Sequence, residues 1–358
     1  MVTDHFLLPM QLSYGKEAEK LKKKKLALPL GGSSVCFSSF EIKSKNPSNQ
    51  RYNKFLSVNK LNSQSLNNIE KSYLESLINN ITKKPDGFMG LNDKKYHLLG
   101  IINATTDSFS SDKKHFSISR SIEKAIKLWE EGASIIDVGG ESSRPGAKPI
   151  DPELEQKRVI PIIKELSKHK LLISCDTRYS STMAKAIDAG AKIINDISAL
   201  SDKNAAKIIS KNKVGVILMH MQGNPKNMQI RPNYKNTNIE ILNFLEERIN
   251  YAMISGIKRK NILIDPGIGF GKTYKHNLEI FDQLGIYHNL KTNILLGVSR
   301  KSIIEKITKT KIPQDRISGS LAFSIIAALQ GVKFFRVHDV KETVQTLKVL
   351  KKLYNFTK

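Results

Sequence analysis

A chain of 358 residues with 40% hydrophobic residues can bury the core of one large α/β domain and still carry further chain. Its 58 Lys+Arg against 33 Asp+Glu leave a formal charge of +25, but the lysines are scattered among Asn and Ile rather than gathered on a stripe with interleaved aromatics, so no nucleic-acid partner is expected. Cys36 and Cys175 lie too far apart for a metal motif or a disulfide framework, and no run approaches the ~18 apolar residues of a membrane-spanning helix.

Lys22-Lys23-Lys24-Lys25 followed by Leu26-Ala27-Leu28-Pro29-Leu30 imitates a targeting sequence, but Pro29 and Gly31-Gly32 interrupt it. The expected location is the cytoplasm, with organellar targeting by this segment as the alternative. Residues 1–95 contain polar stretches such as Ser44–Gln50 and Asn59–Asn68. They are expected to form an N-terminal extension of uncertain structure, partly disordered. The alternative is a small folded appendage to which Ile69–Ile81 contributes one helix.

From Tyr96 the texture changes: an apolar run of strand length recurs, each followed by polar residues and a segment of helical period. The strands are expected at Leu98–Ile102, Ser134–Val138, Leu171–Cys175, Lys192–Ile194, Val214–Met219, Ile262–Ile264, Ile294–Val298 and Phe334–Val337. Ile122, Ala125, Ile126 and Trp129 follow helical spacing and are expected on one buried face. Asp151-Pro152 reads as an N-cap followed by proline at the first helical position. Gly132, Gly190, Gly256, Gly285 and Gly331 fall at helix ends before strands, where a left-handed residue turns the chain back. Eight strand–helix units in residues 96–358 favour a closed (β/α)₈ TIM barrel over an open doubly wound sheet.

Such a barrel gathers the residues after its strands around one mouth. These are Asn103, Glu141 with Ser143 and Arg144, Asp176, Asn195 with Asp196, His220, Asp265, Arg300 with Lys301, and Arg336 with His338. The loop Asn103–Ser110 offers an amide, hydroxyls and the Asp107 carboxylate. It could hold Mg²⁺ and a phosphate beneath Phe109, or be an ordinary Asx/Ser turn. Gly139–Gly146 combines close backbone approach with an arginine suited to an anion, or is a βα turn with a surface arginine. Asp176, Asn195 and Asp265 are each suited to capping a helix, but together favour a polar heterocycle, because carboxylates accept paired donors and an amide both donates and accepts. Asp265–Lys272 fits neither a dinucleotide fingerprint nor a P-loop and reads as a loop bringing Phe270 to a flat ligand, or as a plain turn. Ser299–Ser302 and Arg336–His338 follow the last two strands, where barrels often bind phosphate, or are surface-solvated strand ends. His220 reads as a core histidine and Met221 as packing or a ligand wall.

Taken in order, Asn103–Ser110, Asp137–Ala147, Leu218–Met228, Asp265–Lys272, Ser299–Ser302, Ser318–Ala322 and Arg336–Asp339 closely resemble dihydropteroate synthase, over essentially Leu99 to the C-terminus. The family joins 6-hydroxymethyl-7,8-dihydropterin pyrophosphate to p-aminobenzoate with release of pyrophosphate, uses Mg²⁺ and is the sulfonamide target. The resemblance implies pterin binding by Asp176, Asn195, Asp265 and Lys301, with Met221 in the pocket wall. It implies pyrophosphate binding by Asn103, Ser143, Arg144, Arg336 and His338, and Mg²⁺ binding by Asn103 and Asp107. The p-aminobenzoate region would be shaped by Phe109, Ser143, Arg144, Pro145, Phe270 and Ser302. The groups closest to the chemistry would be Asp176, Lys301, Arg336 and His338, in a homodimer.

Three positions depart from the family pattern: Thr106 stands for proline, Ser143 for threonine, and Lys113-Lys114 for Gly-Gly. Two other activities share parts of this pattern. A pterin-dependent methyltransferase domain would not need Asn103, Arg336 and His338 for pyrophosphate, and a non-catalytic pterin-binding barrel would follow from a first loop unable to close.

Overall fold

The computed structural model describes residues 4–48, 54–62, 68–92, 95–105, 117–142 and 146–354. Before the barrel come β1 (His5–Ser13), α1 (Gly15–Lys23), β2 (Leu28–Pro29), β3 (Cys36–Ser44), β4 (Lys54–Ser57) and α2 (Asn68–Thr82). β3 is the centre of this sheet, antiparallel to β1 on one side and to β2 and β4 on the other. The expectation of a partly disordered extension therefore gives way to its alternative, a folded N-terminal unit, and the helix expected at Ile69–Ile81 is α2. Most of its buried apolar side chains share the core of the barrel, with a small separate cluster at Ala18, Ala27 and Cys36. Phe6, Leu7, Leu30, Phe37, Phe40, Leu77 and Ile81 join one continuous hydrophobic cluster with barrel residues.

Polar contacts fix the unit against the barrel. Asn289, buried beyond β1, accepts from Leu7 N at 3.0 Å and donates to Leu7 O at 2.8 Å, satisfying both backbone groups on that edge of the sheet. Lys45 pairs with Glu246 at 2.5 Å, and Asn243 donates to Lys45 O at 2.7 Å. Beside Asn289, the ring of His288 packs under Gly31, where an added Cβ would come within 2.2 Å of His288 Nδ1.

The barrel runs β5 (His97–Asn103), α3 (Ile118–Glu130), β6 (Ile135–Gly139), α4 (Pro152–Ser167), β7 (Ile173–Asp176), α5 (Ser180–Asp188), β8 (Ile193–Asp196) and α6 (Ala205–Asn212). It continues through β9 (Gly215–Met219), α7 (Thr237–Ile254), β10 (Ile262–Asp265), α8 (Tyr274–Asp282), β11 (Asn293–Leu296), α9 (Ser302–Thr308), α10 (Ile317–Leu329), β12 (Phe334–Val337) and α11 (Val340–Tyr354). The strands are parallel neighbours in chain order, and β12 closes onto β5 through pairs such as Phe334 with His97 and Arg336 with Leu99. This is the expected (β/α)₈ barrel.

Alternate residues of each strand face opposite ways. One set, including Leu98, Ile136, Ile173 and Ile264, packs against the helices. The other makes an apolar layer of Leu99, Ile135, Ile193, Ile217, Leu263, Leu295 and Phe334, closed by Phe88 from the segment before β5. Phe88 meets Phe334 edge-on at 5.9 Å. The N-terminal end of the barrel is thus filled, and its polar mouth lies at the other end.

Local expectations hold with two corrections. Asp151 caps α4, accepting from Glu153 N at 2.7 Å ahead of Pro152. Gly132, Gly190, Gly256 and Gly331 are left-handed, but Gly285 is not; it lies inside a 3₁₀ segment, Leu284–Leu290, whose left-handed stop is Lys291 at φ 56°. A Cβ at Gly285 would stand 2.8 Å from Pro9 Cγ, so close packing against β1 is its requirement. On α3 the buried residues are Ala125 and Leu128, while Trp129 is 49% exposed, at the edge of the apolar stripe instead of within it.

His288 makes the seam between unit and barrel acid-sensitive. Its Nε2 donates to Gln330 O at 3.0 Å, and burial lowers its pKa to about 4. The unfolded chain, with an ordinary histidine pKa near ~6.5, binds the proton first, so stability present above that pH is lost as pH falls towards 4. The shift corresponds to about 3 kcal/mol. Unfolding free energy measured between pH 7 and 4.5 is expected to fall more steeply for the native chain than for His288→Gln; parallel curves would refute this.

Candidate active site at the barrel mouth

Strand register places the polar rim on one level. Asn103 pairs with Gly139, Gly139 with Asp176, and Asp176 with Asn195, across four consecutive strands. A side chain is missing at Gly139 for a reason: a Cβ there would approach Asp176 Cβ to 3.3 Å. Two residues earlier on β6, and hence on the same inward face, stands Asp137.

Arg336 reaches across the mouth from β12. Its Nε donates to Asp137 Oδ2 at 2.6 Å and its Nη2 to Asp176 Oδ2 at 2.7 Å. Asn195 Nδ2 donates to the same Asp137 oxygen at 3.2 Å. Asp137 is fully buried, whereas the Asp176 side chain keeps 14% exposure and can be reached from the mouth. Burial works to lower the Arg336 pKa, but Asp137 and Asp176 outweigh it and hold the guanidinium charged. Burial raises the Asp176 carboxyl above its usual range, with Arg336 pulling the other way and Asp137 adding repulsion. Behind it, Glu155 accepts from Thr177 Oγ1 at 2.6 Å and is pushed up to about 7 by burial.

On the opposite side, Asp265 accepts from Gly267 N at 2.7 Å, which holds its carboxylate at the start of the glycine loop. Burial raises its pKa, against the pull of Lys301. Lys301 Nζ donates to Ile268 O at 2.5 Å and lies 4.5 Å from the centre of the Phe270 ring. Burial lowers its pKa to about 8, opposed by Asp265. Gly297 marks their convergence: a Cβ there would lie 3.7 Å from Asp265 Oδ2, 3.7 Å from Arg336 Cβ and 3.8 Å from Lys301 Nζ.

Lys272 ties this loop to the one after β9. Its buried amine bonds His220 Nδ1 at 2.9 Å, His220 O at 3.3 Å and Phe270 O at 2.9 Å. Burial, then the Lys272 charge, drives the His220 pKa well down, so the imidazole accepts through Nδ1. Lys272→Met would take the donor from two buried acceptors on His220 and from the half-buried Phe270 O. It is expected to cost about 3 kcal/mol of stability, read as a lowered denaturation midpoint; an unchanged midpoint would refute the assignment.

Asp176, Asn195, Asp265, Lys301 and Arg336 therefore meet as expected, with Asn103 half-buried at the same rim. His338 Nδ1 and Ser299 Oγ are hydrogen-bonded at 3.0 Å, and that oxygen also accepts from His338 N at 3.1 Å, so the ring is held at the end of β12. Met221 is half-buried just after β9, Phe270 is half-buried beside Lys301, and Ser302 is exposed at the start of α9. Asp107, Phe109, Ser143, Arg144 and Pro145 lie outside the described residues, as do Thr106, Lys113 and Lys114. Two rim residues do not turn to the mouth: Arg300 pairs with Asp339 and Glu141 with Arg178. Asp196 caps its own loop, accepting from Ser198 N at 2.8 Å and Leu200 N at 2.7 Å. Sequence reasoning assigned no role to Asp137 or Lys272. A single carboxylate among the apolar residues Ile135–Val138 was the available signal for the first.

Among the described residues no three His, Cys, Asp or Glu side chains gather to cage a metal ion. No helix among the described residues is long and apolar enough to cross a membrane.

Residues 99–338 match the family of pterin binding enzymes. The chain is 42% identical over 255 residues to the dihydropteroate synthase of Escherichia coli K12, covering 71% of this chain and 90% of that protein. The dihydropteroate synthase of Yersinia pestis, solved with a sulfonamide drug, superposes with a TM-score of 0.71 at 37% identity, covering 74% of this chain and 98% of that one. The Xanthomonas albilineans enzyme in complex with 7,8-dihydropteroate gives 0.67 at 36% identity, covering 74% and 95%. A barrel with this mouth, matched over nearly the full length of such relatives, belongs to the dihydropteroate synthases within the pterin-binding enzyme family.

Proposed function

We propose that this chain condenses 6-hydroxymethyl-7,8-dihydropterin pyrophosphate with p-aminobenzoate, giving 7,8-dihydropteroate and pyrophosphate. The supporting observation is the convergence of three short acceptor or amide groups and two cations at one barrel mouth, in a chain 42% identical to a dihydropteroate synthase. Asp176, Asn195 and Asp265 suit the amino-pyrimidine edge of a pterin, offering carboxylate acceptors and an amide that both donates and accepts. Lys301 and Phe270 would meet the ring, with Met221 in the wall. Asn103, Arg336 and His338 would hold the pyrophosphate, and Ser302 with Phe270 the p-aminobenzoate entrance.

The carbon–oxygen bond to pyrophosphate breaks first, leaving a pterin-stabilised cation; the arylamine nitrogen then attacks the exocyclic methylene and its proton passes to solvent. Arg336 and His338 would donate to the oxygens on which charge grows. The carboxylates of Asp176 and Asp265 offset the positive charge left on the pterin. A neutral arylamine needs no strong base, so displacement is dissociative, without a covalent enzyme intermediate. Bound Mg²⁺ would supply further charge neutralisation of the pyrophosphate, held by Asn103 together with Asp107. A cytoplasmic homodimer belongs to the same proposal.

Purified protein is expected to form dihydropteroate and pyrophosphate only with divalent metal present, and sulfonamides are expected to compete with p-aminobenzoate. Pterin binding without product would favour a non-catalytic barrel, and methyl transfer from a folate donor would favour a methyltransferase. Lys301→Ala is expected to weaken pterin binding by about 10- to 100-fold, the worth of a charged hydrogen bond. An unchanged affinity by calorimetry would remove Lys301 from the pocket.

A further inference from the structure

We propose that Asp137 is the positioning residue of this site, and that it couples the group reading the pterin to the group holding the leaving pyrophosphate. This rests on the pterin reading of the mouth. Asp137 cannot itself touch substrate, since its side chain is fully buried. Its influence passes through two groups that keep some exposure, Arg336 at 20% and Asn195 at 5%, both bound to the same oxygen, Oδ2: Arg336 Nε at 2.6 Å and Asn195 Nδ2 at 3.2 Å.

Each bond settles a choice the neighbouring side chain would otherwise leave open. An amide can turn either its oxygen or its nitrogen to a given partner. Facing a carboxylate oxygen, only the nitrogen is attractive, so Asp137 fixes the orientation of the Asn195 amide. The amide oxygen and the second N–H are left for the ligand edge. A pterin therefore meets a defined acceptor–donor pair instead of two interchangeable ones.

Arg336 poses the second choice. It bridges Asp137 and Asp176, and Asp176 is also a pterin-binding candidate. If a pterin amino group takes the Asp176 carboxylate, Arg336 loses part of its hold there. The bond to Asp137 lies deeper and involves Nε, at the root of the guanidinium, so it survives that exchange. It leaves the terminal nitrogens free to turn to the pyrophosphate. Asp137 thus keeps Arg336 at the mouth while its outer partner changes from Asp176 to the leaving group.

The second oxygen of Asp137 supports a role set by function over one set by stability. Oδ1 is buried and accepts no hydrogen bond among the described residues. A carboxylate retained for stability alone is more economically replaced by an apolar side chain of similar size. Here one oxygen carries both donors and the other carries none.

The test is Asp137→Asn, nearly isosteric but uncharged and able to pair with Asn195 in either amide orientation. Binding of 6-hydroxymethylpterin by calorimetry is expected to weaken about 10-fold, and kcat at saturating substrates to fall about 100-fold, a split in which turnover suffers more than affinity. Adding Asn195→Ala to Asp137→Asn is expected to cost little further pterin affinity, although Asn195→Ala alone weakens binding, because the two act through one bond. Asp137→Ser, which leaves room for a bridging water, serves the same comparisons should Asp137→Asn not fold. A folded variant with wild-type affinity and turnover, or affinity losses that add in full, would overturn the proposal. Because calorimetry does not require turnover, failure of the native chain to form dihydropteroate would count against the proposed function and leave this test standing.

Discussion

Everything at the mouth of this barrel hangs on a guanidinium held between two carboxylates. Arg336 crosses from β12 to reach Asp137 on β6 and Asp176 at the end of β7, so the last strand is tied electrostatically to the second and third. Burying these charges is costly unless they are paired, and each bond offsets part of the desolvation of its partners. The arrangement leaves one carboxylate deep and inaccessible and the other open to a ligand. That asymmetry separates a fixed support from an exchangeable contact.

The rest of the molecule keeps this cluster rigid. The apolar layer capped by Phe88 fills the barrel beneath it, so the strand ends cannot drift. Lys272 crosslinks the loops after β9 and β10, and Gly139 leaves room for Asp176 that a Cβ would crowd. The N-terminal unit acts at a distance. It shares the hydrophobic cluster that surrounds the barrel and is seamed to it by Asn289 and His288, in the segment before β11.

Much of this was legible in the sequence because barrels repeat. Eight apolar runs separated by helical periods specify the closed sheet, and rim residues such as Asp176 and Asn195 announce themselves by position. What was not legible depends on contacts between distant segments. The fold of the N-terminal unit was hidden because its apolar side chains complete a core shared with the barrel. Asp137 was hidden because a lone acidic residue in an apolar strand looks the same whether it binds, supports or merely pairs. Arg300 and Glu141 stood at the rim as prominently as their neighbours, yet local partners, Asp339 and Arg178, turn them aside. Gly285 shared its position with true helix stops but answers to the approach of Pro9.

The most direct measurement is a crystal structure of the full chain with 6-hydroxymethylpterin and pyrophosphate bound. The account predicts the pterin edge on Asp176, Asn195 and Asp265, with Arg336 still bonded to Asp137 and its outer nitrogens on pyrophosphate. A pterin bound elsewhere, or an Arg336 that leaves Asp137 when the site fills, would contradict it.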